Sequence, residues 1–182
     1  MKKFIIMLSI IFASCEAFAQ NVIHFNGIPV DGTRKQVENK LVKAGYEYSE
    51  EQGGYVGWID GREVCIDIYT NLDKVYSIAV RDLWCSYGED AAKLYNSIHD
   101  KLYNNDDLEF WYCQTITSES DLWGYLGGNT EVTNLAQGCY NAPGGLVTCV
   151  IYGWCEPDSS GEQRGAYYTV TYYENFGNAP QQ

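Results

Sequence analysis

The fold is decided by residues 30–80, which read VDGTRKQVENKLVKAGYEYSEEQGGYVGWIDGREVCIDIYTNLDKVYSIAV. Thr33 followed by Gln36 matches a capping box, in which the two side chains satisfy free backbone N–H groups of a first helical turn. An apolar stripe at helical spacing begins at Val37. Gly45 supplies the left-handed residue that commonly ends a helix. The pattern therefore predicts an amphipathic helix between Thr33 and Ala44.

Three strand-like runs follow this helix, at 55–59, 62–69 and 75–80. Asp60-Gly61 between the first two is typical of a two-residue hairpin turn. In the second run Val64, Ile66 and Ile68 alternate with more polar residues, and in the third run Tyr76, Ile78 and Val80 are expected to share one face. We expect an antiparallel meander with one apolar side, which the helix covers.

The remainder of the chain predicts one more helix and a strand-rich region. Ser86 followed by Glu89 indicates a second capping box. An apolar stripe then runs to Leu102, and the Asn-Asn-Asp-Asp segment at 104–107 ends the helix. The predicted strands beyond it are 108–117, 122–126, 131–138, 146–154 and 166–173, separated by turn residues. Residues 21–29 are expected to add a short edge strand.

This order of elements predicts an α+β fold, and two arrangements satisfy it. In the first, residues 20–85 and 86–174 form two halves, each a helix on an antiparallel meander. In the second, one continuous antiparallel sheet carries both helices on one face. Residues 175–182 are expected to form a flexible tail in either case.

The first nineteen residues have the pattern of an export signal. Lys2-Lys3 precedes the apolar run 4–13, which is too short for a stable membrane anchor, and Ala17-Phe18-Ala19 resembles a cleavage site. The favoured interpretation is secretion to the periplasm or the exterior, with residues 1–19 removed. The alternative is a lipoprotein in which Cys15 becomes the lipidated first residue. We expect no transmembrane segment elsewhere in the chain.

Composition excludes one class of partner. The formal net charge is −12, so nucleic-acid backbones and anionic membrane surfaces would be repelled. Hydrophobic residues make up 46% of the chain and charged residues 20%, which is enough apolar material for a folded core. We therefore expect a folded domain whose partner is not a nucleic acid.

The cysteines allow two interpretations. Removal of the signal leaves six, an even number that is typical of disulfides in an exported protein. Cys139 and Cys149 are placed symmetrically about Pro143-Gly144-Gly145, so a hairpin there would let them pair. Cys65 with Cys85, and Cys113 with Cys155, follow only by elimination. The alternative is that several cysteines are buried free thiols, which are common in cores.

The sequence contains no motif for a zinc protease, a phosphate-binding loop, a serine hydrolase or a dinucleotide site. No catalytic residue, metal ligand or cofactor is therefore predicted. The distinctive feature is the aromatic content, with 16 Tyr, 5 Trp and 6 Phe. Tyr and Trp are suited to contact surfaces because they join a flat apolar face to a polar tip. The candidates for binding are Trp84, Trp111, Trp123 and Trp154, which lie at predicted strand ends or loop margins.

The run Phe25-Asn26-Gly27-Ile28-Pro29-Val30-Asp31-Gly32-Thr33, followed by Leu41-Val42-Lys43-Ala44-Gly45-Tyr46, resembles small exported proteins of gut anaerobes whose function is unassigned. More loosely, a capped helix that ends in Gly and leads into a meander is similar to the β-lactamase-inhibitor-like and BamE-like outer-membrane assembly lipoprotein folds. Those families bind other proteins through a sheet face or loops. The resemblance implies no catalytic residues.

Together these patterns predict an exported, non-enzymatic binding protein whose partner is an envelope or extracellular protein. The alternative is a glycan-binding protein, or a glycan hydrolase that acts through acidic residues. Acidic clusters at Glu50-Glu51, at 106–109 and at 158–162 provide carboxylates for that alternative. Solvation of these carboxylates at the surface is their ordinary state.

Overall fold

The computed structural model describes residues 22–181, which form eleven strands and three helices. In chain order they are β1 (His24–Phe25), β2 (Ile28–Pro29), α1 (Arg34–Lys43), β3 (Glu47–Ser49), β4 (Gly54–Ile59), β5 (Arg62–Asn71), β6 (Lys74–Asp82), β7 (Ser86–Tyr87), α2 (Gly88–Tyr103), β8 (Glu109–Cys113), α3 (Glu119–Leu126), β9 (Thr133–Ala142), β10 (Gly145–Pro157) and β11 (Gln163–Asn175). The chain is α+β, and the antiparallel sheet is its larger part.

The first helix, α1, forms as its capping residues predict. The Gln36 backbone N–H donates to Thr33 Oγ1 at 3.3 Å, and the Thr33 N–H donates to Gln36 Oε1 at 2.9 Å. Val37 and Leu41 are completely buried, while the basic residues Arg34, Lys35, Lys40 and Lys43 are exposed. Gly45 has φ +95°, a conformation that residues with a Cβ avoid. The predicted amphipathic helix is confirmed.

The meander of β4, β5 and β6 is confirmed as well. Asp60 and Gly61 both have positive φ, as the tight turn between β4 and β5 requires. The alternation predicted for β6 is wrong at Tyr76. The pairing of β5 with β6 shifts register between Tyr69 and Thr70, and the Tyr76 ring lies 6.4 Å from the Tyr69 ring rather than in the core. Such a bulge inserts one unpaired residue and reverses the alternation beyond it.

The second helix, α2, begins later than its sequence indicates. Ser86 and Tyr87 are extended and pair with Tyr167 and Ala166 of β11, so Ser86 does not cap the helix. Tyr87 occupies the N-cap position without a side-chain hydrogen bond. The predicted capping box is therefore wrong, because pairing with the sheet holds Ser86 in strand β7.

Residues 119–126 are helical, where the sequence had predicted a strand at 122–126. Ser118 and Asp121 form a capping box, and Gly127 ends the helix with φ +58°. Leu122 and Leu126 are buried four residues apart on the same side. The capping box and the glycine thus determine that this short apolar run is helical, although its pattern also fits a strand.

Nine strands form one continuous antiparallel sheet in the order β3-β4-β5-β6-β11-β10-β9-β8, and β7 also pairs with β11. Strand β6 pairs with β11 from Ser77 opposite Glu174 to Arg81 opposite Val170. This pairing joins the two regions that the sequence allowed as separate halves. The structure therefore has the continuous sheet of the second predicted arrangement.

The three helices pack on one face of this sheet, which we call the covered face. Ile66, Val80, Thr171 and Cys149 lie opposite one another across β5, β6, β11 and β10 on this face. Buried side chains from all three helices join the same apolar cluster as Ile66 and Cys149. Burial of each large aliphatic side chain contributes roughly 1.5–3 kcal/mol, so this single core holds the helices and the sheet together.

Both ends of the described chain differ from expectation. Residues 24–29 pair only with each other, as β1 and β2, and do not extend the large sheet. The expected flexible tail is held at its start, because Asn175 donates to the Val30 carbonyl at 2.8 Å and Asn178 donates to Asp31 Oδ1 at 2.8 Å. The C-terminal strand therefore closes over the segment that precedes α1.

The export signal at 1–19 and the alternative lipidation site Cys15 lie outside the described residues. Among the helices of residues 22–181, none is both long enough and apolar enough to cross a membrane.

Candidate functional site

The face of the sheet opposite the helices is rich in aromatic and paired charged side chains. We call it the open face and define it by these outward-pointing residues: Trp58, Glu63, Asp67, Tyr69, Arg81, Tyr152, Trp154, Glu156, Arg164, Tyr168 and Tyr172. Their orientation follows from strand alternation, since each lies between residues of the covered face. An uncovered antiparallel face is usually polar, so its aromatic content calls for an explanation.

At the centre of the open face lies the tyrosine row, which comprises Tyr152, Trp154, Tyr168 and Tyr172. Tyr152 and Tyr168 lie opposite each other on β10 and β11, with stacked rings 5.4 Å apart. The Trp154 ring lies 6.2 Å from the Tyr168 ring, and the Tyr152 and Tyr172 hydroxyl oxygens are 3.4 Å apart. All four side chains are half-buried, so each ring is supported by its neighbours and still reaches solvent.

The hydroxyl groups of Tyr168 and Tyr172 remain protonated at neutral pH. Burial raises the pKa of Tyr168, and burial together with the hydrogen bond to Tyr152 raises the pKa of Tyr172. Each of these two tyrosines therefore offers a neutral group that both donates and accepts hydrogen bonds. The row combines apolar ring area with polar atoms at fixed positions.

Two ion pairs flank the row. Arg81 contacts Asp67 at 3.2 Å and donates to the Gln52 carbonyl at 2.9 Å. Arg164 contacts Glu156 at 2.8 Å, and this hydrogen bond lowers the pKa of Glu156. Each arginine already has a carboxylate partner. The two pairs therefore offer hydrogen-bonding groups in fixed orientations, and their charges compensate each other.

The second ion pair also orients aromatic rings. The Arg164 guanidinium carbon lies 4.0 Å from the centroid of the Tyr87 ring, in a cation–π contact. The Trp154 Nε1–H donates to Glu156 Oε2 at 3.2 Å. The aromatic and charged groups at this end of the open face therefore form one connected network.

A separate feature, the tryptophan pocket, lies where the β4–β5 turn meets the segment after β6. It has a volume of about 280 Å³ and is lined in part by Trp58, Arg62, Glu63, Asp82 and Trp84. Trp58 and Trp84 are 69% and 70% exposed, although the indole ring has a large apolar surface that is usually buried. Such exposure of two indoles at one pocket points to a contact with another molecule.

The four predicted binding tryptophans do not form one site. Trp154 belongs to the tyrosine row and Trp84 to the tryptophan pocket. Trp111 lies at a register shift in the edge strand β8, and Trp123 lies on helix α3. Trp58 was not among the candidates, although its place just before the Asp60-Gly61 turn is the signal that could have found it.

The six cysteines of the described chain are free thiols. Cys139 lies opposite Thr148 and Cys149 opposite Gly138, so Cys139 and Cys149 leave opposite faces of the sheet and the predicted pair is wrong. The pairs Cys65 with Cys85 and Cys113 with Cys155 are not bonded either. Burial raises the pKa of Cys149 to about 12, so this thiol is un-ionised at neutral pH.

Within residues 22–181, no group of three or more His, Cys, Asp or Glu side chains is arranged to hold a metal ion. The acidic segment 158–162 has a structural role instead. Asp158 Oδ1 accepts hydrogen bonds from the Ser160 hydroxyl at 2.6 Å and from the Ser160 and Glu162 N–H groups at 2.8 and 3.0 Å, and these interactions lower the pKa of Asp158. This carboxylate therefore orders the turn between β10 and β11.

Comparison of the chain with protein-family models, with curated proteins and with solved structures gives no match in any of the three.

Proposed function

We propose that this protein is an exported, non-enzymatic binding module that holds a protein partner on the open face of its sheet. The observation that carries the proposal is the half-buried tyrosine row on a face that no helix of the described chain covers. Tyr and Trp are enriched at the centres of protein interfaces because they bury much area at a small cost in side-chain entropy.

The form of the open face favours a partner of macromolecular size. The tyrosine row lies on the broad surface of β10 and β11, where rings are held by cross-strand stacking. A sheet surface offers area to another folded surface, whereas small ligands are usually enclosed in clefts. Rings that are already positioned lose little conformational freedom on binding, which favours affinity.

The negative charge of this chain indicates what kind of surface the partner has. The chain carries a formal charge of −12, and on the open face Glu63 forms no ion pair with any residue of 22–181. A partner with a basic contact surface would be attracted at long range and would associate faster at low salt. We therefore propose a basic protein of the envelope or the exterior as the partner.

The paired state of the charged groups supports a binding role over catalysis. Asp67 and Glu156 each pair with an arginine of the same face, so both carboxylates already have a partner within the protein. Binding or hydrolysis of a glycan through acidic residues stays the alternative, and the experiment below separates the two.

The test compares partner capture by immobilised wild-type protein and by a Tyr69→Ala/Trp154→Ala variant, using an envelope extract of the producing cells at low and high salt. A protein retained by the wild type is expected to bind the variant at least about tenfold more weakly, because interface aromatics are the usual hot spots. Trp123→Ala on α3 is the matched control and is expected to bind normally, since Trp123 lies outside the open face.

Each variant is first checked for a wild-type circular dichroism spectrum and thermal transition. Equal retention of the partner by wild type and the open-face variant would refute the assignment of the face. Release of sugar from a glycan panel by the purified wild type would refute the non-enzymatic role.

A further inference from the structure

We infer that the tryptophan pocket binds an organic cation, and that the cation is the ammonium or guanidinium group of a Lys or Arg side chain on the protein partner. The identity of the source rests on the proposed function. The cation site itself rests on the aromatic walls, the hydrogen bonding and the charges of the pocket.

One carboxylate lies beside both aromatic walls and fixes the orientation of one of them. Trp58 on β4 lies directly opposite Glu63 on β5. Trp84 approaches from the segment after β6 and donates its Nε1–H to Glu63 Oε2 at 2.7 Å. Both indoles therefore border the same carboxylate, and a short hydrogen bond fixes the orientation of an indole that is 70% exposed. An exposed ring fixed in this way is ready to receive a ligand.

The charges of the pocket favour a cation. Arg62 and Asp82 form an ion pair, and Asp82 Oδ2 accepts two further hydrogen bonds from Thr169, so these two charges compensate each other. Burial raises the pKa of the Cys85 thiol, which leaves it neutral at pH 7. Glu63 has no cationic partner among residues 22–181. The lining thus carries one uncompensated negative charge.

Aromatic faces next to a carboxylate are a known means of holding ammonium and guanidinium groups. The indole ring is the strongest cation–π partner among side chains, because its face carries negative electrostatic potential. Glu63 adds direct charge attraction and keeps one oxygen free of the Trp84 hydrogen bond. A neutral sugar could stack on the indoles but would leave the negative charge uncompensated, and an anion would be repelled. Of these three ligand classes, only a cation is attracted both by the indole faces and by the Glu63 carboxylate.

The same chemistry would accept a free quaternary ammonium compound. We assign a side chain as the source because the pocket lies at the end of the open face, whose residue Trp58 also lines the pocket. A basic protein seated on the tyrosine row could reach this pocket with one extended Lys or Arg side chain. The experiment has separate arms for the two sources.

The pocket is tested with ¹⁵N-labelled protein by following the indole N–H signals during titration with N-acetyl-lysine methylamide, N-acetyl-arginine methylamide, choline and 3,3-dimethylbutanol. The last compound is a neutral analogue of choline. The Trp58 and Trp84 signals, assigned with Trp58→Phe and Trp84→Phe variants, are expected to shift with the lysine and arginine derivatives at a Kd on the order of 1–10 mM. The neutral alcohol is expected to leave both signals in place.

Glu63→Gln is the decisive variant, because the amide oxygen still accepts from the Trp84 indole while the charge is removed. We expect this variant to bind the cations at least about fivefold more weakly with unchanged thermal stability. Trp111→Ala, which removes an indole of similar exposure (64%) from the edge strand β8, is the matched control and is expected to bind as the wild type does.

Equal shifts with the neutral alcohol, no shift with any of the three cations, or unchanged affinity in Glu63→Gln would overturn the cation site. Shifts with choline alone would overturn the side chain as the source. These arms contain no partner protein, so a negative result here leaves the open-face proposal standing. Conversely, failure of partner capture alongside normal cation binding would count against the open face and not against the pocket.

Discussion

The two faces of the same strands carry different chemistry. In β10, Val147 and Ile151 point to the covered face and are completely buried, whereas Tyr152 and Trp154 point to the open face and are half-buried. The covered face is mainly aliphatic because it must fill the space under three helices at crystal-like density. No helix of the described chain packs on the open face, and yet this face carries large rings, of which Trp58 and Tyr69 are 69% and 43% exposed.

This difference indicates that the covered face serves folding, whereas the open face is available for contact with another molecule. A face that served only for solubility would be richest in isolated charges and small polar groups. Here each arginine of the open face is paired, and the rings are stacked or hydrogen bonded. Ordered aromatic surface of this kind is typical of interaction sites. The following substitutions test whether the two faces, which differ in composition, also differ in how much their side chains contribute to the free energy of unfolding.

The largest expected effect comes from Asp82, a charged residue on the covered face with only 7% exposure. It pairs with Arg62 and accepts from the Thr169 N–H at 2.8 Å. Asp82→Ala leaves both groups without their partner, and we expect a loss of about 3 kcal/mol in the free energy of unfolding, as for other buried pairs.

The matched control for this substitution is Asp67→Ala, which breaks the Arg81 pair on the open face. Both members of that pair are more than 20% exposed, so the loss is expected to stay below about 1 kcal/mol. Urea unfolding followed by circular dichroism gives both values. Equal losses would contradict the energetic difference between the faces.

A smaller effect is expected from two valines of β10 that lie on opposite faces. Val147 on the covered face is 0% exposed and Val150 on the open face is 4% exposed. Val147→Ala leaves a cavity enclosed by the core, so we expect a loss of about 2–3 kcal/mol. Val150→Ala leaves a space that neighbouring rings and water can fill, and a loss of about 1 kcal/mol is expected.

The two valine variants are compared by urea unfolding at one pH. If Val150→Ala costs as much as Val147→Ala, the open face is packed as a second core rather than as a contact surface. A partner that binds the open face is expected to stabilise wild type and Val147→Ala by equal amounts, because Val147 lies on the opposite side of the sheet.

The sequence predicts the local structure of this fold better than its long-range pairing. Helix α1 and the first meander could be predicted because Thr33, Gly45 and Asp60-Gly61 act on their immediate neighbours. Helix α3 was missed because its apolar residues fit a strand equally well, and only the cap at Ser118 and Gly127 distinguishes the two. Strand β7 was missed because Ser86 pairs with a residue more than 80 positions away.

The candidate site could be predicted only in part for the same reason. Alternation within β10 and β11 already places Tyr152 with Trp154, and Tyr168 with Tyr172, on one side of each strand. It does not say which side the helices cover, or that β6 joins β11. The cysteine pairing failed by a single step of register, since a shift of one residue moves a side chain to the other face.

The smallest expected effect concerns the margin of the covered face, where His99 of α2 packs among Tyr103, Phe110 and Tyr140 with ring centroids 5.5–6.3 Å away. Its Nδ1 is buried and has no hydrogen-bond partner within the described chain. Burial lowers the pKa of His99 in the folded protein, so the unfolded chain binds the proton more readily. Stability is therefore expected to be complete above about pH 6.5 and to fall as the pH drops from there towards the lowered pKa.

His99→Phe keeps an aromatic ring in this position and removes its titration. We expect the wild type to lose up to about 1 kcal/mol more than this variant when urea midpoints at pH 7.5 and pH 5 are compared, a limited amount because the ring is only half-buried. If His99→Phe shows the same dependence on pH as the wild type, the margin near β8 is open to water, and the covered face is less completely sealed from solvent than its burial indicates.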